Sequence, residues 1–230
     1  MTAGSLPGTV VTFPDVVQRT EPWYQQRCGL ITASAVGKLL TPKLAIADNA
    51  TSRGVVAVAA AERITGFVDP TYISLDMERG VDDEPFAVAA YSEHHAPVAE
   101  CGFMVRRWPG AFQLGYSPDG LVGTDGLIEI KSRRGKTQVE TVLAGEVPAE
   151  NMAQLQAGLF VSGRAWIDYV SYAGGMHLWT VRVTPDPAWF DAIRAAVEAF
   201  EAAVTQTVDA YLAAVEGLPM TERHDLDLVV

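Results

Sequence analysis

The chain has 230 residues, 49% of them hydrophobic, with 28 acidic against 17 basic side chains and a net charge of −11. That length holds one well-buried domain of mixed architecture and little more, and the negative balance excludes a generic DNA-coating protein, whose affinity comes from a cationic surface. Cys28 and Cys101 are too few for a disulfide framework or a zinc cage; with no basic-then-apolar leader and no apolar run near the roughly 20 residues of a membrane span, a soluble cytoplasmic protein without membrane contact is expected.

Residues 1–20 read as an extended or poorly ordered lead-in. Thr32 or Ser34 can cap a short helix running through Leu39 and Leu40, which Pro42 helps to end. An alanine-rich helix over 53–65, buried and stopped by Gly66, follows. A polar helical stretch runs from about Asp76 to His94; Pro85 inside it means either a start near Asp82, with proline in the first turn, or a kink. Strand signals dominate from Val98 to Ser132, and helix returns at Thr137–Leu143 and Ala149–Val161. Ala165–Tyr172 and His177–Val183, rich in aromatic and β-branched residues, form a hairpin around Gly174 and Gly175. Asp186 and Pro187 then open a long helix to about Glu216, with Trp189, Ile193, Val197, Phe200, Val204, Tyr211 and Val215 largely on one core-facing stripe. Residues 219–230 read as a tail, leaving a single domain over 21–218. This order predicts an α/β fold, a central mixed β-sheet flanked by helices.

The chemistry gathers around Asp119 and Glu129-Ile130-Lys131. Alternation puts Leu127, Glu129 and Lys131 on one strand face and Ile128 and Ile130 on the other. Asp119 follows a Ser-Pro turn, and Asp125-Gly126 folds the chain back so that Asp119 comes beside Glu129 and Lys131. Two hard carboxylates can hold Mg²⁺ or Mn²⁺, and a neighbouring lysine can orient an attacking water, a combination suited to phosphodiester cleavage. A helix-borne acid would complete the set: Glu84 is the candidate, with Asp82 and Asp83 beside it and spacing alone unable to choose among them. Arg27, Thr32 and Ser34 offer a donor fork, hydroxyls and free N–H groups that can grip a phosphate. Asn151 and Gln154 lie on neighbouring helical faces and can reach a phosphate or a water. Lys131, Arg133, Arg134 and Lys136 cluster just past the pair, and Arg106-Arg107 read equally well as solvated loop charges. His94 and His95 read as a surface pair at a helix end, His177 falls in a strand and His224 in the tail. No glycine-rich loop with a following Lys-Ser/Thr appears, so cleavage powered by nucleotide hydrolysis is not expected.

Pro118-Asp119 with Glu129-Ile130-Lys131 resembles the PD-(D/E)xK nuclease superfamily. Adding Trp23…Arg27-x-Gly29-x-Ile31-Thr32-Ala33-Ser34, Gly80 to Glu84, Ser117 to Leu121 and Met152-Ala153-Gln154-x-Gln156, the chain is similar from Trp23 to about Tyr172 to the lambda-exonuclease, or YqaJ-type, viral recombinase branch. The resemblance implies a restriction-endonuclease-like core. It also implies a Mg²⁺- or Mn²⁺-dependent 5′-to-3′ exonuclease on linear double-stranded DNA that makes 3′ overhangs for recombination. Asp119, Glu129, the Ile130 carbonyl and Glu84 would serve the metal, Lys131 the water, and Gln154 the support of the site. Arg27, Thr32 and Ser34 would hold the 5′-phosphate, and Lys43 stands where a further phosphate-binding residue is expected. Pro85 departs from the pattern by following the helix acid directly, and Met77 reads as a strand-separating wedge or, better, as a packed core methionine. A single-strand-annealing protein as partner, a homotrimeric ring and a phage or prophage origin in a bacterial host are implied too. An endonuclease of the same superfamily and an inactive DNA-end-binding module are the competing readings.

Overall fold

In the computed structural model, which describes residues 6–70 and 74–223, the elements run in chain order as follows. Strand β1 (Thr9–Phe13) precedes helices α1 (Glu21–Arg27), α2 (Ala33–Val36), α3 (Ala50–Thr65) and α4 (Leu75–His94). Strands β2 (Val98–Ala99), β3 (Phe103–Trp108), β4 (Phe112–Tyr116), β5 (Gly120–Val122) and β6 (Gly126–Ser132) come next. Helices α5 (Gly135–Ala144) and α6 (Ala149–Ser162), strands β7 (Trp166–Tyr172) and β8 (Trp179–Val183) and helix α7 (Pro187–Ala214) complete the chain. The strands form a mixed five-stranded sheet in the order β2-β5-β6-β7-β8 and a smaller sheet, β1-β3-β4. Strands β6 and β7 run parallel, joined through α5 and α6; the other neighbours are antiparallel.

Strand β6 is buried on both faces, as a central strand flanked by helices must be. Leu127 joins the larger core with Leu155, Leu159, Ile193 and Phe200, whereas Ile128 and Ile130 pack with Ala87, Tyr91 and Val170 in a second core under α4. Leu127 and Ile128 are wholly buried, which contributes roughly 1.5–3 kcal/mol each. The alternation read from sequence is therefore the alternation between two cores. Helix α7 starts where the Asp186 carboxylate accepts the Ala188 N–H at 2.8 Å, and it buries Ile193, Val197, Phe200 and Val204 on one side. Tyr211, placed on the same stripe by spacing, is exposed because the helix has run past the core.

Several expectations are corrected. Part of the lead-in is a strand: β1 pairs with β3 from Thr9↔Arg107 to Phe13↔Phe103. Its side chains are largely exposed, and backbone pairing with β3, together with the Phe13–Phe103 ring contact, places it. Helix α3 begins earlier, at an Asn49–Ser52 capping box, and among its residues only Ser52, Ala59 and Ala60 are buried. Small alanines let it lie close to α7 along one narrow face. The helix that caps from Thr32 is short, its last turn 3₁₀, and Thr32 makes no side-chain cap bond. Helix α4 runs unbroken through Pro85 from a Ser74 cap, so proline neither starts nor ends it. Met77 is exposed in the first turn of α4 rather than packed in a core. His177 precedes β8 instead of belonging to it and His224 lies outside the described residues, whereas His94 and His95 are exposed at the end of α4, as expected.

Candidate active site

Asp119 stands between β4 and β5, and Glu129 and Lys131 project from β6. The Asp119 Oδ2 accepts the backbone N–H of Ile130 at 2.6 Å, tying the turn to the strand that carries the other two residues. The Lys131 Nζ donates to Glu129 Oε1 at 2.8 Å and to Gln154 Oε1 at 3.0 Å, and the Gln154 amide nitrogen also donates to Glu129 Oε1. The Tyr116 hydroxyl donates to the other Glu129 oxygen, Oε2, at 3.3 Å. Glu129 is only 2% exposed, so its charge depends on these donors rather than on water.

Burial, then the charge of Glu129 and more weakly that of Glu84, hold the Asp119 carboxyl well above the usual carboxylate range, against the pull of Lys131 and the Ile130 N–H. Burial pulls the Lys131 ammonium down, but Glu129 and Asp119 outweigh it, and its pKa moves up. Lysine 131 is thus a fixed cation. Burial first, and the neighbouring carboxylates after it, push the Tyr116 phenol well up, so it remains a hydrogen-bond donor.

The structure separates the three acids of α4. Glu84 is the one whose charge Asp119 feels, and its Oε2 is held by Arg19 at 2.8 Å. Asp83 instead accepts the Ser132 hydroxyl at 2.6 Å, and Asp82 is exposed. The donor set is hard oxygen, and a buried and a half-buried carboxylate that repel each other, Glu129 and Asp119, fit a divalent cation. Among the described residues, however, no three acids close a ready-made cage. Arg19 holds Glu84 in its own ion pair, so the fit rests on Asp119 and Glu129.

The Arg27 guanidinium lies 4.0 Å from the ring centre of Trp23, and the Trp23 indole donates to Ser117 Oγ at 2.8 Å, two residues before Asp119. Burial lowers the Arg27 pKa to about 10, despite the opposing pull of Tyr24 and Glu62. Among the described residues Arg27 has no hydrogen bond or ion pair, which leaves its planar fork free for an anion. Gly29, at φ +67°, is gripped from both sides: Glu62 accepts its N–H at 2.6 Å and Arg63 donates to its carbonyl at 2.9 Å. A Cβ there would fall 2.4 Å from Arg63 Cγ, so only glycine fits. Thr32 is buried and bridges to Gly115, and its hydroxyl lies 3.2 Å from that of exposed Ser34. Trp23 and Thr32 thus attach the Arg27–Ser34 segment to the same Gly115–Ser117 stretch that leads into Asp119. Lys43 sits exposed in the tight turn between Leu40 and Ile46, without a hydrogen bond or ion pair among the described residues.

The basic cluster after Lys131 is not a bare patch. Arg133 donates to Asn151 and Tyr169, Arg134 to Asp76, and Lys136 lies 3.6 Å from Glu140. Arg106 is no loop charge either; it is buried in β3 and donates to the carbonyls of Phe160, Val161 and Pro7. Two contacts had no sequence signal. Arg19 lies in the lead-in, far from Glu84 in sequence, and Tyr116 looks like any strand aromatic. A cleft of about 1030 Å³ between α3, α7 and the β3–β4 turn contains none of the catalytic candidates.

A mixed sheet with a glutamate and a lysine on its central strand, and an aspartate from a neighbouring turn bonded to that strand, defines the class, a deoxyribonuclease of restriction-endonuclease-like fold. The YqaJ-like viral recombinase domain matches residues 22–165, more than half of the chain, and the protein belongs to that family. The crystal structure of an alkaline exonuclease from Laribacter hongkongensis (LHK-Exo) is similar at 32% identity and a TM-score of 0.76, covering 87% of this chain and all of that one. The same enzyme in complex with dAMP matches at 31% identity, with the same TM-score and coverage. A phage-related exonuclease from Haemophilus somnus shares the fold at 14% identity, with a TM-score of 0.56 over 79% of this chain and 96% of that one. None of the curated proteins matches the sequence.

Proposed function

We propose that this protein is a Mg²⁺-dependent (or Mn²⁺-dependent), ATP-independent exonuclease that degrades one strand of linear double-stranded DNA from its 5′ end. The product is a 3′ single-stranded overhang for phage-type homologous recombination. The observation that carries the reading is Lys131, held between Glu129 and Gln154 on the strand to which Asp119 is bonded.

Asp119 and Glu129, with the Ile130 carbonyl and Glu84, would hold the cation, which when bound supplies Lewis-acid neutralisation of the scissile phosphate. Lys131 remains charged, so its part is to orient the water and stabilise the negative charge gathering on the phosphate oxygens, rather than to take a proton. Gln154 fixes the Lys131 ammonium through its carbonyl oxygen and Glu129 through its amide. Arg27, Thr32 and Ser34 form the pocket for the 5′-terminal phosphate, and Lys43 steadies a neighbouring phosphate of the strand. The partner is a single-strand-annealing protein that coats the overhang. The active assembly is a homotrimer, encoded by a phage or prophage and working in the cytoplasm of its host. Among the described residues no helix is long and apolar enough to cross a membrane.

End-labelled linear duplex incubated with Mg²⁺ and no ATP tests the reading. Label is expected to leave the 5′ end first, faster from 5′-phosphate than from 5′-hydroxyl ends, while a closed circle stays intact. Internal cuts in the circle would make the protein an endonuclease. Binding of ends without metal-dependent cleavage would make it an end-binding module.

A further inference from the structure

Glu129 is buried, and its two oxygens are not held alike. Oε1 receives two donors, the Lys131 ammonium and the Gln154 amide, from the side of β6 and α6. Oε2 receives one, the Tyr116 hydroxyl from β4, at 3.3 Å. With Oε1 alone anchored, the carboxylate could still pivot about that oxygen; a contact at Oε2 removes this freedom. Tyr116 is itself 1% exposed, and Glu129 is its hydroxyl's one hydrogen-bond partner among the described residues. Two features fix the ring. Its backbone pairs with Met104 in the smaller sheet, and Gly158 of α6 faces it, where a Cβ would come 2.8 Å from Tyr116 Cζ and 3.1 Å from its hydroxyl oxygen. A side chain at position 158 would push the phenol from its place, so the helix that supplies Gln154 to one Glu129 oxygen also leaves room for the donor to the other.

We propose that Tyr116 is a positioning residue for the candidate metal site: it sets the plane of the Glu129 carboxylate, and Gly158 is the gap that admits it. The inference rests on the reading of Asp119 and Glu129 as metal ligands. Groups that orient ligands in this way typically contribute about 10- to 100-fold in metal affinity or activity.

The test is Mn²⁺ binding by isothermal titration calorimetry in the absence of DNA, with melting temperatures taken in EDTA. Tyr116→Phe keeps the ring and removes the hydroxyl. It is expected to weaken Mn²⁺ about 10-fold and to raise the Mn²⁺ concentration for half-maximal cleavage more than it lowers the maximal rate. Gly158→Ala is expected to copy that loss, and the double variant to bind no worse than Tyr116→Phe alone, since both changes remove one contact. A Tyr116→Phe protein that melts earlier in EDTA but binds Mn²⁺ as before reduces the hydroxyl to packing and overturns the proposal. Tighter binding would mean that the phenol competes with the metal for Oε2, which also overturns it. Asp119→Ala and Glu129→Gln form the control arm. If both still bind Mn²⁺ normally, the metal-site reading fails; if both lose it and Tyr116→Phe does not, only the role of Tyr116 fails.

Discussion

The Oδ2 of Asp119 accepts the Ile130 N–H at 2.6 Å, so the turn acid is bonded to the backbone between Glu129 and Lys131. One side chain thereby ties together all three candidate residues, none of which belongs to either hydrophobic core. Asp119→Ala, Glu129→Ala and Lys131→Ala are each expected to lower cleavage by about 100- to 1,000-fold or more. Far-ultraviolet circular dichroism should stay unchanged. The acid variants should lose Mg²⁺ affinity and the lysine variant keep it; near-normal turnover of Lys131→Ala at saturating Mg²⁺ would remove its assigned part.

Glu84 is singled out by its electrostatic influence on Asp119 rather than by its neighbours in sequence. Asp83 is occupied by Ser132, and Asp82 is exposed, while Asp119 senses Glu84. Glu84→Gln should therefore cost about 100-fold in rate, with Asp82→Asn and Asp83→Asn far milder. Arg19→Ala, which frees Glu84 from its ion pair, separates the salt bridge from the acid itself. Greater sensitivity at Asp82 or Asp83 than at Glu84 would show that a different face of α4 serves the site.

Arg27 holds a desolvated charge over Trp23, without a hydrogen-bonded partner among the described residues. A charge-assisted contact to a terminal phosphate contributes roughly 1.5–3 kcal/mol, or about 10- to 100-fold. Arg27→Ala should shrink the preference for 5′-phosphate over 5′-hydroxyl ends by that factor, read as the ratio of initial rates on the two substrates. A uniform loss on both ends, with the ratio untouched, would take the terminal phosphate out of this pocket.

The raised Asp119 carboxyl makes a pH prediction for the metal-free protein. The folded state holds this proton more tightly than the unfolded chain, so the contribution to stability is present below the ordinary aspartate range. It is lost as pH rises through the elevated value. In EDTA the melting temperature should thus fall across that window, and Asp119→Asn should flatten the fall. Divalent cation should restore stability at the upper end, because binding displaces the proton and is favoured as pH rises. Metal affinity that does not change with pH would contradict this coupling.

The parts of the fold legible in sequence are those where burial wrote a pattern. The alternation of Leu127 to Lys131, the Asp125-Gly126 turn and the Asp186-Pro187 helix start each follow from one local physical rule, and each stands in the structure. Strand β1 was hidden because an exposed edge strand is specified by the backbone of its neighbour. The choice among Asp82, Asp83 and Glu84 was hidden because it depends on which face of α4 meets the sheet. The basic cluster shows the same limit: Arg134 meets Asp76, 58 positions away, a distance at which spacing carries no information.

The last prediction is assembly, where charge and family meet. A monomer at −11 gains little from counterion release on duplex DNA, and the structure pairs off most of the cations near the site. The proposed homotrimer would be a ring, which can turn the remaining exposed cations, such as Lys38, Lys43 and Arg107, toward an enclosed duplex while its acids face outward. Exposed apolar side chains remain to be covered, among them Phe86 on α4, Leu143 on α5 and Leu212 at the end of α7. Light scattering at micromolar concentration should give about three times the 24.7 kDa chain mass. A charge introduced at Phe86, Leu143 or Leu212 should yield monomers wherever that side chain lies in the interface. Such monomers should digest short tracts at the normal initial rate but fall off long DNA early. A native monomer that still degrades long DNA without dissociating would refute the ring and leave the cleavage chemistry standing.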